Sequence, residues 1–430
     1  MMQVDFRDFI RPPFKRCPAC KAQGFGLKSV ASDRYIRQCR ECGHLEAYPL
    51  PELKKTVIYL DQMAISNMML ALNPKTDAGK EGRVDPFWTR LFEKLDSLSK
   101  LQLIVCPDSP IQGFESALSP YYAALRRMYE HLSHGVSFLD KDTIARFQLA
   151  THIDAWCDGH PSMEPALDLD AVVHGKPHAW IDWMRIAVHS DPWPELREEL
   201  RANKMLAENH LASLIERWRQ ESSTKFEEFF EREVRAFGVQ ILRQYDEFIV
   251  SLAAIQLGVK PPTMEDFNPP YAVLLVHNLC DHLERRGFSV EEANRKSREY
   301  LLSPELRYIP YNRISAALWA SIARKAAAGM KKVPAPSTVN DIEVIASVMP
   351  YCDALFVDRE MRSYLSEEPL ASMKGCSARV FSASTRAEFM AYLDTVYRGA
   401  PAKHLALVNE VYGSDWTKPY LSMFTEEGAA

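Results

Sequence analysis

At 430 residues, with 47% apolar and 25% charged side chains, the chain has an ordinary globular composition and enough length for two or three domains. Its longest apolar runs, such as residues 248–259, are too short to cross a bilayer, which leaves no membrane partner to expect. A net charge of −5 supplies no global field for nucleic acid. The first residues carry Asp5, Arg7, Asp8 and Arg11 and no apolar signal segment, so the expected location is the cytoplasm.

Two Cys-x-x-Cys pairs come first, Cys17/Cys20 and Cys39/Cys42, with eighteen residues between them. Four thiolates at that spacing suit a tetrahedral Zn²⁺, so residues 1–50 read as a four-cysteine zinc ribbon. Short strand-like pieces alternate there with Gly24, Gly26 and Gly43. So small a unit has almost no core, and the ion supplies its folding energy. The other cysteines, Cys106, Cys157, Cys280, Cys352 and Cys376, sit in apolar segments without paired spacing and read as reduced thiols. The ribbon is locally basic. Arg16, Lys21, Lys28, Arg34, Arg37 and Arg40 are candidates for nucleic-acid or partner contact, with Phe25, Tyr35 and His44 as stacking surfaces. The same charges would equally serve a solvated surface.

Pro49 and Pro51 mark a linker. Residues 56–60 form a β-branched and aromatic run of the kind that makes a buried central strand, with Asp61 at its carboxyl end. Ile65, Met68, Met69 and Leu72 follow at helical spacing. A second buried strand covers 101–106. Asp108 or Ser109 then caps a helix, with Pro110 in its first turn and Glu115 further along.

Strand signals nearly vanish from 119 to 310. Segments 196–218 and 226–257 carry helical periodicity with dense surface charge, and Pro-rich breaks fall near 191–194 and 261–262. This is expected to be an all-helical insertion. His174 and His178 lack a helix that would make them a ligand pair, because Pro177 intervenes. Trp180, Trp183, Trp193 and Trp218 read as core or oligomer-contact residues.

The α/β pattern returns at 311–400. Residues 313–328 are Ala-rich and helical. Asn340 and Glu343 read as a capping box, with Asp341 in the first turn of that helix. Residues 353–358 form an apolar strand flanked by Asp353 and Asp358. A last strand, 378–382, leads to a helix with Thr385 and Glu388 as its box. The tail, 401–430, is left unassigned.

Asp61 and Asp358 both end apolar strands, and ligands bind at the carboxyl ends of strands in open parallel sheets. Glu115 and Asp341 lie in helices that start at that edge. Four carboxylates there repel unless a cation neutralises them, and an oxygen-only set favours Mg²⁺ or Mn²⁺. Such ions orient a water and stabilise the leaving oxygen in phosphodiester hydrolysis. Taken singly, each acid is also a plausible turn former, cap or surface charge.

The order of these segments resembles the PIN-like nuclease family. The matching pieces are Val57-Ile58-Tyr59-Leu60-Asp61, Glu115 after the next strand, Asp341-Ile342-Glu343-Val344-Ile345-Ala346, Leu355-Phe356-Val357-Asp358, and the closing Arg379-Val380-Phe381 with Glu388-Phe389. They cover roughly residues 55–118 and 311–395. The resemblance implies a PIN-like α/β domain interrupted by the helical insertion. It also implies that Asp61, Glu115, Asp341 and Asp358 bind the catalytic metal, with Asp353 either an extra ligand or a strand cap. Two features depart from the family: the long insertion, and the Gln62-Met63-Ala64 turn, where a small polar residue usually follows the first Asp. With its zinc ribbon, the chain is also similar to the ring-activated zinc-finger ribonucleases of bacterial phage defence. That similarity implies restrained RNA cleavage, a homo-oligomer, and a phage protein trigger contacting the ribbon or the insertion.

Two other functions fit the same residues: a scaffold or adaptor with a decayed nuclease core, and a structure-specific DNA nuclease. A phosphatase of the haloacid dehalogenase type would need an acid two residues after Asp61, where Met63 stands.

Overall fold

The computed structural model describes residues 6–73, 85–183, 194–331, 333–373 and 377–419. The break expected at 191–194, Trp193 and Cys376 lie in part or wholly outside these residues. The chain is mixed α/β, with one parallel sheet, many helices and a cysteine cluster near its start.

Four antiparallel strands come first: β1 (Arg11–Lys15), β2 (Phe25–Val30), β3 (Arg34–Cys39) and β4 (Leu45–Pro49), ordered as in sequence. The second sheet is parallel. Its strands are β5 (Thr56–Leu60), β6 (Ile104–Val105), β9 (Ala354–Phe356) and β10 (Arg379–Phe381), in the order β10-β9-β5-β6. Between them lie α1 (Gln62–Leu72), α2 (Phe87–Lys100), α3 (Pro110–Ala117), α4 (Tyr122–Ser133), β7 (Ser137–Phe138), α5 (Lys141–Cys157), β8 (Val173–His174), α6 (Pro194–Arg219), α7 (Phe226–Gln256), α8 (Tyr271–Arg285), α9 (Val290–Leu301), α10 (Pro310–Ala327) and α11 (Thr338–Val348). After β9 come α12 (Arg359–Leu365), α13 (Arg386–Arg398) and α14 (Ala402–Tyr412).

The parallel sheet is buried on both faces, and strand alternation divides the core. Val57, Tyr59, Val105, Leu355 and Val357 point into one cluster, shared with α5 to α11. Ile58, Leu60, Ile104, Ala354 and Phe356 point into the other, with α1, α2, α4 and α13. The helical insertion thus shares a core with one face of the sheet. Region 119–310 is not wholly helical: β7 and β8 pair antiparallel, and Ser137 bridges to Asp108. Strands of two residues carry no periodicity, so the sequence left them invisible.

The tail is structured by the ribbon. α14 sets Val408, Val411 and Tyr412 against Leu27, Val30, Tyr35 and Leu50. Arg37, 1% exposed, donates to the carbonyls of Pro13 at 2.7 Å and Glu410 at 2.6 Å. No helix among the described residues is long and apolar enough to cross a membrane.

In α7, Gly238 meets the end of α9. A Cβ there would lie 1.7 Å from the Leu301 carbonyl oxygen, so only glycine permits this approach. Gly238→Ala is expected to lower stability by about 3 kcal/mol, as overpacking against backbone does. A thermal melt within a degree of the parent would contradict it.

Candidate active site and metal centre

The cysteines form two knuckles. In each, the amide of the pair's first member closes a tight turn, Cys17 on Ala22 at 2.8 Å and Cys39 on His44 at 2.9 Å. Lys21 (φ 66°) and Gly43 (φ 73°) take the left-handed position that each turn needs. Cys17 and Cys42 sulfurs lie 3.7 Å apart, and Cys20 and Cys39 sulfurs 3.6 Å apart. Zn–S bonds of about 2.3 Å at tetrahedral angles put sulfurs about 3.8 Å apart. All four sulfurs fall within 4.8 Å of one another, so the set can hold one metal ion such as zinc.

The acids are assembled by the parallel sheet. Asp61 follows β5 and its amide donates to the Phe356 carbonyl of β9 at 2.9 Å, which sets it beside the end where Asp358 stands. Ser109, not Asp108, caps α3 through a full capping box with Gln112, and Pro110 opens the first turn. The same Gln112 donates to the Leu60 carbonyl at 2.6 Å, tying α3 to the tip of β5. Ser116 donates to the Gln62 side chain at 3.3 Å, which draws Gln62 toward α3. Glu115 is thereby presented to Asp61. Across the cleft, Asn340 donates to Glu115 at 3.1 Å, and Asp341 is the next residue on α11.

Asp61 and Asp341 each feel the other carboxylates as neighbours. Burial, then the carboxylates of Glu115 and Asp358, push Asp61 up to about 7. Burial, then Asp61, Glu115, Asp358 and Glu360, push Asp341 up to about 9. The cleft is lined by Asp61, Glu115 and Asp341 with Tyr59, Gln112, Asn340 and apolar side chains, and Asp358 stands just outside that lining; among the described lining residues none is cationic. The donor set is all oxygen. It is also open: among the described residues, only the four cysteines form a group of three or more such ligands whose donor atoms all lie within 4.8 Å of one another.

Asp61 stands at the N-cap position of α1 without a side-chain cap, and its carboxyl takes backbone hydrogen bonds from Gln62 and from Asp358 across the strand ends. Asp358 does cap, accepting from the Met361 amide at 2.6 Å. That contact uses one oxygen and fixes the direction of the other.

Several expected residues fall elsewhere. Asp353 precedes β9, at the opposite end from Asp358, where it accepts from the Val57 amide at 2.8 Å. It is a strand cap and does not join the other acids. Asn340 is not the cap of α11, which begins two residues earlier at Thr338; Glu343 pairs with Lys141 at 3.3 Å. Thr385 accepts from the Ser382 amide and makes no box with Glu388. In the ribbon, Arg37 is buried in structural bonds, and Phe25 and Tyr35 are buried too, which removes them as contact surfaces. Arg40 stacks on Phe14 and donates to Ile10. Arg16, Lys21, Lys28 and Arg34 remain exposed. Trp180 and Trp218 are buried, in accord with a core role. Asn340, Gln112 and Tyr59 are parts of the cleft that the sequence did not mark, and Glu360, two residues after Asp358, is a further charge acting on Asp341.

Comparison with protein-family models, with curated proteins and with solved structures finds no match.

Two outcomes are expected. The protein as purified should carry about one zinc per chain, and Cys39→Ser should lose it; stoichiometric zinc in that variant would contradict the assignment of all four cysteines to one ion. The second concerns pH. A carboxyl held above its ordinary value binds its proton more tightly folded than unfolded. Stability from Asp341 is therefore present below about 4 and lost as pH climbs toward about 9. Without added Mg²⁺ or Mn²⁺, Asp341→Asn should stabilise the protein at pH 8 by about 1–2 kcal/mol and do nothing at pH 4. Denaturant melts at the two pH values measure this, and destabilisation at pH 8 would refute it.

Proposed function

We propose that the chain is a PIN-like endoribonuclease that hydrolyses phosphodiester bonds at the acidic cleft with Mg²⁺ or Mn²⁺. One observation carries the reading. Asp61, Glu115 and Asp341 come from three separate segments and line one cleft with no cationic side chain in its described lining, and the Asp358 carboxylate, just beyond that lining, acts on two of them. Such a set is unfavourable unless a cation enters. An open array of carboxylates suits Mg²⁺, which keeps several waters and is usually held by one or two carboxylates plus phosphate oxygens.

The roles divide among the chain's own groups. Asp61 and Asp341, the two most strongly protonated carboxyls, give up protons as the cation binds. Glu115 is oriented by Asn340, and Asp358 by the Met361 amide, so both present fixed oxygens. Tyr59 and the apolar wall of Ile345 and Val357 keep bulk water from the floor. When bound, the divalent ions neutralise this set, polarise the phosphodiester and stabilise the leaving oxygen.

Preference for RNA, a restrained state, a homo-oligomer and a phage protein trigger come from the resemblance of the sequence to zinc-finger ribonucleases of phage defence. The exposed Arg16, Lys21, Lys28 and Arg34 are the ribbon residues open to such a partner.

The test is incubation of the full chain with labelled RNA and DNA of one sequence, with Mn²⁺ or none. Cleavage should need the ion and prefer RNA. Asp61→Asn and Asp341→Asn should each reduce it by more than about a hundredfold, because even outer-shell partners are worth 10–100-fold. Mn²⁺ should raise the melting temperature of the parent but not of these variants, a readout that works for a restrained enzyme. Equal Mn²⁺ stabilisation in parent and variants would remove the cleft as the metal site.

A further inference from the structure

A second cavity, of about 870 Å³, lies at the other edge of the parallel sheet, at the amino end of β5. Its described walls are Lys55, the end of α2 with Lys100, the α4 side with Arg127, Glu130, His131 and His134, the 176–183 segment, and the turn at Asp415–Lys418. These walls are built by specific bonds. The Trp180 indole donates to Pro51 at 2.8 Å and the Trp183 indole to Lys28 at 2.8 Å. The Trp416 indole donates to Lys100 at 2.9 Å, and Lys100 donates on to Asp96 and to the Lys418 carbonyl. The indole N–H groups are thus consumed by backbone. Arg11 covers one face of the Trp183 ring at 4.5 Å and Tyr412 one face of Trp416 at 4.7 Å, which leaves the opposite faces of these two rings for the cavity, while Trp180 is packed against His404 and Tyr412.

Lys55 is the anomaly. It is 4% exposed and lines the cavity, yet its amine has no hydrogen bond or ion pair among the described residues. Burial alone pulls the amine down to about 7. The amine's remaining surface opens on the cavity, and an amine so far removed from bulk water favours an anion beside it. Lys176, exposed on the rim, and Arg127 add cations, while Glu130, Asp182 and Asp415 place carboxylates elsewhere in the same lining. The volume lies within the range of about 300–1,000 Å³ for small-molecule sites, far more than an inorganic anion needs. Tryptophan surfaces suit a flat ring.

We propose that this cavity binds a nucleoside monophosphate, its phosphate on the Lys55 amine and its base against the tryptophan walls. The site is separate from the acidic cleft, and its occupation does not depend on whether that cleft cleaves RNA.

Isothermal titration of the full chain, without added divalent ions, tests it. The probes are AMP, GMP, CMP, UMP, inorganic phosphate and adenosine. At least one nucleotide should bind at one per chain, about tenfold or more tighter than phosphate or adenosine. Lys55→Met should weaken that binding about ten- to a hundredfold, the loss of a charge-assisted hydrogen bond, and Asp61→Asn should leave it unchanged. Lys55→Met should also melt no lower than the parent, since it removes a buried amine that has no partner. Should that variant fail to fold, Lys176→Met on the exposed rim carries the same test with about threefold weakening. Three results would overturn the assignment: no nucleotide binding at millimolar concentration, unchanged affinity in the lysine variant, or inorganic phosphate binding as tightly as every nucleotide.

Discussion

Repulsion between carboxylates at the carboxyl edge of β5 and β9 is the constraint around which this region is organised. Asp61 and Asp358 are placed there by adjacent strands whose register is fixed by burial on both faces. A one-residue slip would invert every side chain between the two cores, so the acids cannot move apart by sliding. The helices are pinned as firmly. Gln112 serves both as half of a capping box and as a donor to the tip of β5, which leaves α3 little freedom to swing Glu115 away. The charges are therefore held near one another by apolar packing, and part of the strain appears as protons retained by Asp61 and Asp341.

The ribbon is bound into the body. Its β-sheet and α14 share a small apolar cluster, and Arg37 joins Pro13, on the ribbon's own first strand, to Glu410 in α14. Lys15 and Tyr35 reach the same glutamate. A guanidinium with two carbonyl partners and almost no solvent contact is a fastener, and it is unavailable for phosphate. What remains of the basic stretch is a smaller exposed set on the outer knuckle side. Because α14 closes over the ribbon and Trp416 closes over Lys100, the carboxyl-terminal segment joins the four-cysteine module to α2.

Signals that depend on near neighbours were legible in the sequence. The cysteine spacing, the β5 run ending at Asp61, the cap and Pro110 of α3, and the strand ending at Asp358 each follow from residues close in the chain. Pairings set by tertiary contact were not. Asp353 and Asp358 flank one strand almost symmetrically in sequence, and only strand direction assigns one to the cleft and the other to a cap. Asn340 is a strong capping residue by propensity, but Glu115, 225 residues away in sequence, claims its amide while α11 starts earlier. Arg37 reads as surface charge until α14 covers it. Nothing local foretells that α14 folds back on the ribbon at all.

Strand β5 has a cationic residue at its beginning and an anionic one at its end: Lys55 precedes it and Asp61 follows it. The five residues of the strand, six steps along the chain, separate them by about 20 Å. At that distance, with an effective dielectric constant near 20, two unit charges interact by only ~0.8 kcal/mol, well under one pKa unit. The displacement of Asp61 to about 7 is several times larger, so it arises from burial and from the acids beside it, as the identity of its neighbours already indicates. The same arithmetic applies in reverse to the lysine. Each end of the strand is tuned by its own surroundings, and a ligand at one end can affect the other only by moving the sheet or its helices. The sheet is packed on both faces by large apolar clusters, which makes it a stiff separator between two chemically opposite clefts.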